Sequence, residues 1–151
     1  MLNSDGTTQD LTPGESEKAN FWGWSKDKQH MYYTSNARDD KYFDLYKSKV
    51  GEWKPNMIYK NEDGTNISNF TPDEKYIAVN KSVTTSSNQL WIINTRTGQK
   101  TEISDPENPG NYNSSGFSDD GTTFFYITDK GKEFAYLKER DLETGEEKVL
   151  Y

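Results

Sequence analysis

The residues here with the means for acid–base or metal chemistry are neighbouring carboxylates: Asp39-Asp40, Asp119-Asp120 and Glu146-Glu147. Two carboxylates that converge can divide the work of general acid and general base, or share a divalent ion through hard oxygen ligands. Adjacent residues on a strand point to opposite faces, so the members of such a pair do not meet at one substrate atom. Each pair also falls in a turn or at a strand end, where acidic residues serve solubility and turn formation. The single histidine, His30, opens an expected strand, and nothing in the spacing sets a nucleophile and an acid on either side of it, as a serine triad requires. The nearest approach to a Gly-x-Ser-x-Gly nucleophile elbow is Gly14-Glu15-Ser16-Glu17-Lys18, which lacks the second glycine and lies in a polar linker. With no cysteine there is no thiol nucleophile, thiolate metal site or disulfide framework. Glycine-rich phosphate loops are likewise missing from the sequence. The expectation is a chain that is not an enzyme, with no catalytic residues, no cofactor and no metal site.

One loop offers recognition chemistry instead. In Asn36-Ala37-Arg38-Asp39-Asp40 an arginine fork could take a partner's carboxylate, with polar groups on either side. Asn36, Arg38, Asp39 and Asp40 are therefore the candidate ligand- or partner-binding residues. The competing reading is an internal ion pair from Arg38 to Asp39 or Asp40, worth about 0–1 kcal/mol at a surface.

The elements that would position this loop are legible as a repeat. An aromatic followed by a polar turn recurs as Trp24-Ser25-Lys26-Asp27-Lys28, Phe70-Thr71-Pro72-Asp73-Glu74 and Phe117-Ser118-Asp119-Asp120-Gly121, at intervals of about 47 residues. A second marker, Gly51, Thr97-Gly98 and Thr144-Gly145, keeps the same interval. Between the markers, short aromatic and β-branched runs alternate with turn residues. Strands are expected over 20–24, 30–34, 42–47 and 56–59; over 67–70, 76–80, 89–94 and 100–103; and over 114–117, 122–128, 134–140 and 148–151. Four short strands per repeat is the content of one β-propeller blade. The aromatics Trp24, Phe70 and Phe117 are expected to pack between blades, Leu45, Leu90 and Leu137 to point into the core, and Ile58, Ile103 and Leu150 to hold the fourth strands. Ser4-Asp5-Gly6 and 8–12, with Leu11, read as a turn and an orphan fourth strand. The expected architecture is all-β: three four-stranded antiparallel blades over 20–60, 61–105 and 106–151, preceded by an orphan outer strand and linker over 1–19, together one structural domain and an incomplete propeller.

Composition limits the partners. The 151 residues carry a net charge of −7, which disfavours nucleic acid and anionic membranes, since phosphate binding needs a basic surface. Hydrophobic content is only 30%, but 14% of the residues are aromatic and supply large buried areas on strands. The first twenty residues lack a basic flank followed by an apolar run, so no signal peptide is expected, and the chain reads as soluble and cytoplasmic as it stands.

The strings Phe21-Trp22-Gly23-Trp24-Ser25, Tyr32-Tyr33-Thr34-Ser35-Asn36-Ala37-Arg38-Asp39 and Phe43-Asp44-Leu45-Tyr46 resemble the propeller domain of prolyl oligopeptidase family serine peptidases. Ile77-Ala78-Val79-Asn80-Lys81, Leu90-Trp91-Ile92 and Glu133-Phe134-Ala135-Tyr136-Leu137 extend that resemblance, and the repeat unit is similar to the TolB-type propeller repeat. The resemblance implies a non-catalytic module that gates or binds peptides while a separate hydrolase domain, absent from this sequence, does the chemistry. The partners it leaves are such a hydrolase domain, a peptide ligand, or a second copy of the chain completing a six-bladed ring.

Overall fold

The structure, a computed structural model, describes residues 5–10 and 14–151. Twelve strands form among them, and no helix. The first sheet runs in order through β1 (Ala19–Trp24), β2 (His30–Ser35), β3 (Asp44–Lys49) and β4 (Pro55–Tyr59). The second follows with β5 (Asn66–Phe70), β6 (Tyr76–Thr84), β7 (Ser87–Asn94) and β8 (Lys100–Glu102). The third holds β9 (Tyr112–Phe117), β10 (Thr123–Thr128), β11 (Tyr136–Asp141) and β12 (Glu147–Val149). Every pairing is antiparallel between sequence neighbours, the meander of a propeller blade, and none of the sheets closes on itself. The chain divides into two compact units, residues 1–64 with the first sheet and residues 65–151 with the second and third. No helix of the described residues is long and apolar enough to cross a membrane.

One turn is built three times with the same bonds. After the first strand of each sheet, a hydroxyl bonds the aspartate two residues on: Ser25 Oγ to Asp27 at 2.5 Å, Thr71 Oγ1 to Asp73 at 2.7 Å and Ser118 Oγ to Asp120 at 2.6 Å. Each hydroxyl also accepts the first N–H of the returning strand, from His30, Tyr76 and Thr123 at 2.9–3.0 Å. Each aspartate accepts a further N–H, from Gln29, Lys75 and Thr122. Closing the turn this tightly needs a left-handed residue at its fourth position, and Lys28, Glu74 and Gly121 stand there at φ 59°, 62° and 71°. Glycine, which has no Cβ, adopts that conformation without the crowding that other residues meet.

The second marker is the turn into the fourth strand. Asn94 and Asp141 each accept two backbone N–H bonds through Oδ1, from Arg96 and Thr97 and from Glu143 and Thr144. Gly98 and Gly145 follow, both at φ 76°.

Unit 65–151 is a two-sheet sandwich. Ala78, Leu90, Ile92 and Ile103 of the second sheet pack on Tyr112, Phe124 and Tyr126 of the third, flanked by Tyr76, Phe117 and Leu142. The rings are in mutual contact, Phe117 to Phe124 at 4.9 Å and Phe124 to Tyr126 at 5.9 Å between centroids. Polar bonds tie the same seam: Asn88 bonds the Tyr112 backbone in both directions at 2.6 and 2.7 Å, and Asn69 donates to Ser114 Oγ at 2.8 Å. Burial is the main reason the Tyr126 hydroxyl is pushed up to about 12.

Some expectations shift. The segment 82–87 is not an open loop, because β6 and β7 extend to Thr84 and Ser87, whose hydroxyls bond at 2.7 Å. Tyr42 and Phe134 lie outside the strands, and Phe134 is 77% exposed. Leu45 and Leu90 are fully buried, whereas Leu137 is only half-buried and Leu150 is 40% exposed. Trp24 is 45% exposed and lies against Phe21 at 5.8 Å. Of the orphan strand over 8–12, Thr8 sits in a β-bridge, while Leu11 and Thr12, like Ser4 of the preceding turn, lie outside the described residues.

Two predictions follow from the repeated turn. Lys28→Gly should raise stability by about 0.5–1 kcal/mol, and Gly121→Ala should lower it by about 1 kcal/mol, in denaturant unfolding. The Ser118 hydroxyl, then the Thr122 backbone and hydroxyl, hold the Asp120 carboxyl down at about 2. A carboxyl more acidic folded than unfolded stabilises while ionised, so this contribution is complete above about pH 4 and lost as pH falls toward 2. Asp120→Asn should lower the denaturation midpoint at about pH 5 and shrink its further fall at about pH 2.5; an unchanged acid slope would refute the assignment.

Candidate functional site

The loop from β2 to β3 is held from within. Asn36 is buried, and its side-chain oxygen accepts the Lys18 N–H at 2.6 Å while its backbone N–H donates to Lys18 O at 3.1 Å. Its Nδ2 reaches Asp40 O at 3.3 Å. Asp39 turns the chain, accepting Lys41 N–H on Oδ1 and Tyr42 N–H on its carbonyl. These bonds give Asn36 and Asp39 positioning work inside the loop. Asp129 does for the third sheet what Asn36 does for the first: just after the second strand, it takes Asn111 N and Nδ2, each at 2.8 Å, just before the first strand.

Arg38 has a partner other than Asp39 or Asp40. Its Nε and Nη2 form a fork on the carboxylate of Asp44, at 2.7 and 2.9 Å, and Nη2 also donates to Asn61 O at 2.7 Å. Asp44 has no exposed surface and takes a third strong bond, from Asn61 N at 2.7 Å. The Tyr46 hydroxyl stands 3.4 Å away, and its ring stacks on Tyr33 at 5.6 Å. Hydrogen bonding to Asp44 raises the Arg38 pKa, and burial, then the Asp44 charge, raises that of Tyr46.

The result is a latch that joins the start of β3 to Asn61, two residues past the end of β4. It also defines what chemistry remains. Two of the guanidinium's three nitrogens are committed, and the side chain keeps about a quarter of its surface exposed, with Nη1 unbonded among the described residues. Asp40 is exposed at the loop's outer side. Arg38 can thus present one N–H edge and a positive charge to a ligand, but not its bidentate face. Asp44, Asn61 and Tyr46 were not among the residues singled out by sequence. The only signal for Asp44 was a charge set between Phe43 and Leu45 within the expected strand 42–47, where a buried charge needs a partner.

Of the other paired carboxylates, Asp120 is engaged in its turn and Glu147 on strand β12. Asp120 is bonded to Ser118 and Thr122, and Glu147 bonds Lys138 at 2.5 Å and Arg140 at 3.0 Å. His30 donates its backbone N–H to Ser25 Oγ as part of the repeated turn. Among the described residues no group of three His, Cys, Asp or Glu is placed to hold a metal ion.

Asp44→Ala should cost about 3 kcal/mol or more in equilibrium unfolding, because it strips a buried charge network. Glu62→Gln, which breaks the exposed Lys60–Glu62 pair, should cost about 0–1 kcal/mol. Equal effects would show that Asp44 is not a buried anchor.

No protein-family model matches the sequence, and no curated protein matches it. Among solved structures the chain is similar to TolB from Acinetobacter baumannii, with 18% identity and a TM-score of 0.62, covering 99% of this chain and 36% of that one. It is similar to a structure from a study of two prolyl endopeptidases, with 18% identity and a TM-score of 0.59 over 87% of this chain and 21% of the other. A puromycin-hydrolyzing peptidase from Mycobacterium tuberculosis gives 17% identity and a TM-score of 0.55 over 97% and 23%. The chain thus spans 36% of that TolB and under a quarter of each peptidase chain. At these identities the likeness establishes the fold: the three sheets are β-propeller blades.

Proposed function

We propose that this chain is a non-catalytic propeller module that works by association, with the open face of its third blade as the docking surface. One comparison within residues 65–151 carries the reading. Ala78, Leu90, Ile92 and Ile103 of the second blade are 0–8% exposed because the third blade covers them. One repeat later, the matching positions are Phe125, Leu137, Glu139 and Leu150, with Ile127 in place of Asn80. Ile127 and Leu150 are 39% and 40% exposed, and Phe125 and Leu137 are half-buried. A sheet face with that composition is a packing surface, since isolated sheets bury at least one face against another layer.

The occupant that fits is another blade with an aromatic face, like that of Tyr112, Phe124 and Tyr126. A second copy can supply it, and two copies would carry the six blades of a closed ring. The rest of a longer propeller can supply it too, with gating or peptide binding as its role. Arg38 and Asp40 would then present a small charged rim, and Asn36 and Asp39 would shape it.

Sedimentation of the purified chain at micromolar concentration should give a homodimer. Ile127→Lys with Leu150→Glu should yield monomers that keep the wild-type circular dichroism. A wild-type monomer would rule out self-association. Cleavage of peptide or ester substrates by the purified chain would overturn the non-catalytic reading.

A further inference from the structure

A site of covalent modification lies in the segment that follows the first sheet, independent of the association just described. The tripeptide Asp-Gly-Thr occurs three times, starting at Asp5, Asp63 and Asp120. The last two copies also share an acidic residue before the aspartate, Glu62 and Asp119, so their intrinsic reactivity is matched. Both aspartates are exposed, and water reaches each. What separates them is how the fold holds the glycine that follows.

Gly121 is pinned. Its N–H donates to Ser118 O at 2.9 Å, closing the repeated turn. The Asp120 carboxylate is held as well, by the Ser118 hydroxyl at 2.6 Å and by the Thr122 N–H and hydroxyl at 3.0 and 2.8 Å. At its value of about 2, this carboxyl carries a proton about 60-fold less often at neutral pH than one at the ordinary 3.8.

Gly64 is held differently. The carbonyl three residues before it, the counterpart of Ser118 O, is Asn61 O, and the Arg38 fork takes that oxygen at 2.7 Å. The Gly64 N–H makes no hydrogen bond among the described residues. A glycine is favoured here twice over, since φ is 67° and a Cβ would stand 3.2 Å from Tyr42 Cε1. No side chain therefore shields the amide nitrogen from the carboxyl beside it. The latch and the tyrosine together set an exposed aspartate next to an unshielded, unbonded amide.

We propose that Asp63 is a site of spontaneous isomerisation to isoaspartate, and that the fold spares Asp120. The Gly64 nitrogen attacks Cγ of the protonated Asp63 carboxyl; the N–Cγ bond forms, and the carboxyl's hydroxyl leaves with the amide proton as water. Water then adds to the former Asp63 backbone carbonyl of the cyclic imide and breaks its bond to nitrogen. The chain now continues through Cγ, a free α-carboxylate remains, and the mass is unchanged. Incubation of the full chain near neutral pH and body temperature tests this, followed by peptide mapping with an aspartate-specific endoprotease that does not cleave at isoaspartate. Isoaspartate should build up at Asp63 at least about tenfold faster than at Asp120. In concentrated urea the two rates should converge to within about twofold, because each site is then the same tripeptide in a flexible chain. Asp63→Glu, whose longer side chain cannot close the same ring, should abolish the signal from that peptide. Isoaspartate forming as fast at Asp120 as at Asp63 in the folded chain, a difference that persists in urea, a signal that survives Asp63→Glu, or no accumulation at Asp63 would each overturn the proposal.

Discussion

The three blades depend on one short hydrogen bond, from a serine or threonine hydroxyl to the aspartate two residues on. That bond fixes the aspartate so that it can accept a backbone N–H, and it orients the hydroxyl to take the first N–H of the returning strand. The register of the first two strands is set there, and with it which side chains face the neighbouring sheet. Non-glycine residues tolerate a left-handed backbone at Lys28 and Glu74 because these side-chain bonds over-determine the turn.

What is repeated is therefore the turn, while the sheet faces are free to vary. The second blade offers aliphatic side chains and the third answers with aromatic ones. The outer part of the same third-blade face is charged, where Lys138 and Arg140 stand at the positions that Trp91 and Ile93 hold in the second blade, and Glu147 bonds both. Lys138 also stands over the Tyr126 ring at 5.5 Å, so even this charged segment is anchored to the core.

All twelve strands could be read from sequence because their signals are local. Asp73 or Gly98 marks a turn through bonds to residues within a few positions, and such bonds leave a direct imprint on residue choice. The long hairpin through Thr84 and Ser87 was missed for the opposite reason, since a run of serines and threonines reads as a loop although β-branched and hydroxyl residues also suit a strand. At the candidate site the sequence located Arg38 but not its true partner. Asp44 lies six residues away and Asn61 twenty-three, and alternation says nothing about pairs that close over such distances.

The Asn69 to Ser114 bond across the blade seam has a kinetic meaning. It joins residues 45 apart, whereas the turn bond from Tyr76 N to Thr71 spans five. Closing the longer loop costs about 2 kcal/mol more chain entropy. Each blade can therefore zip from its own turn before it has a neighbour, and the seam forms only when two finished sheets meet.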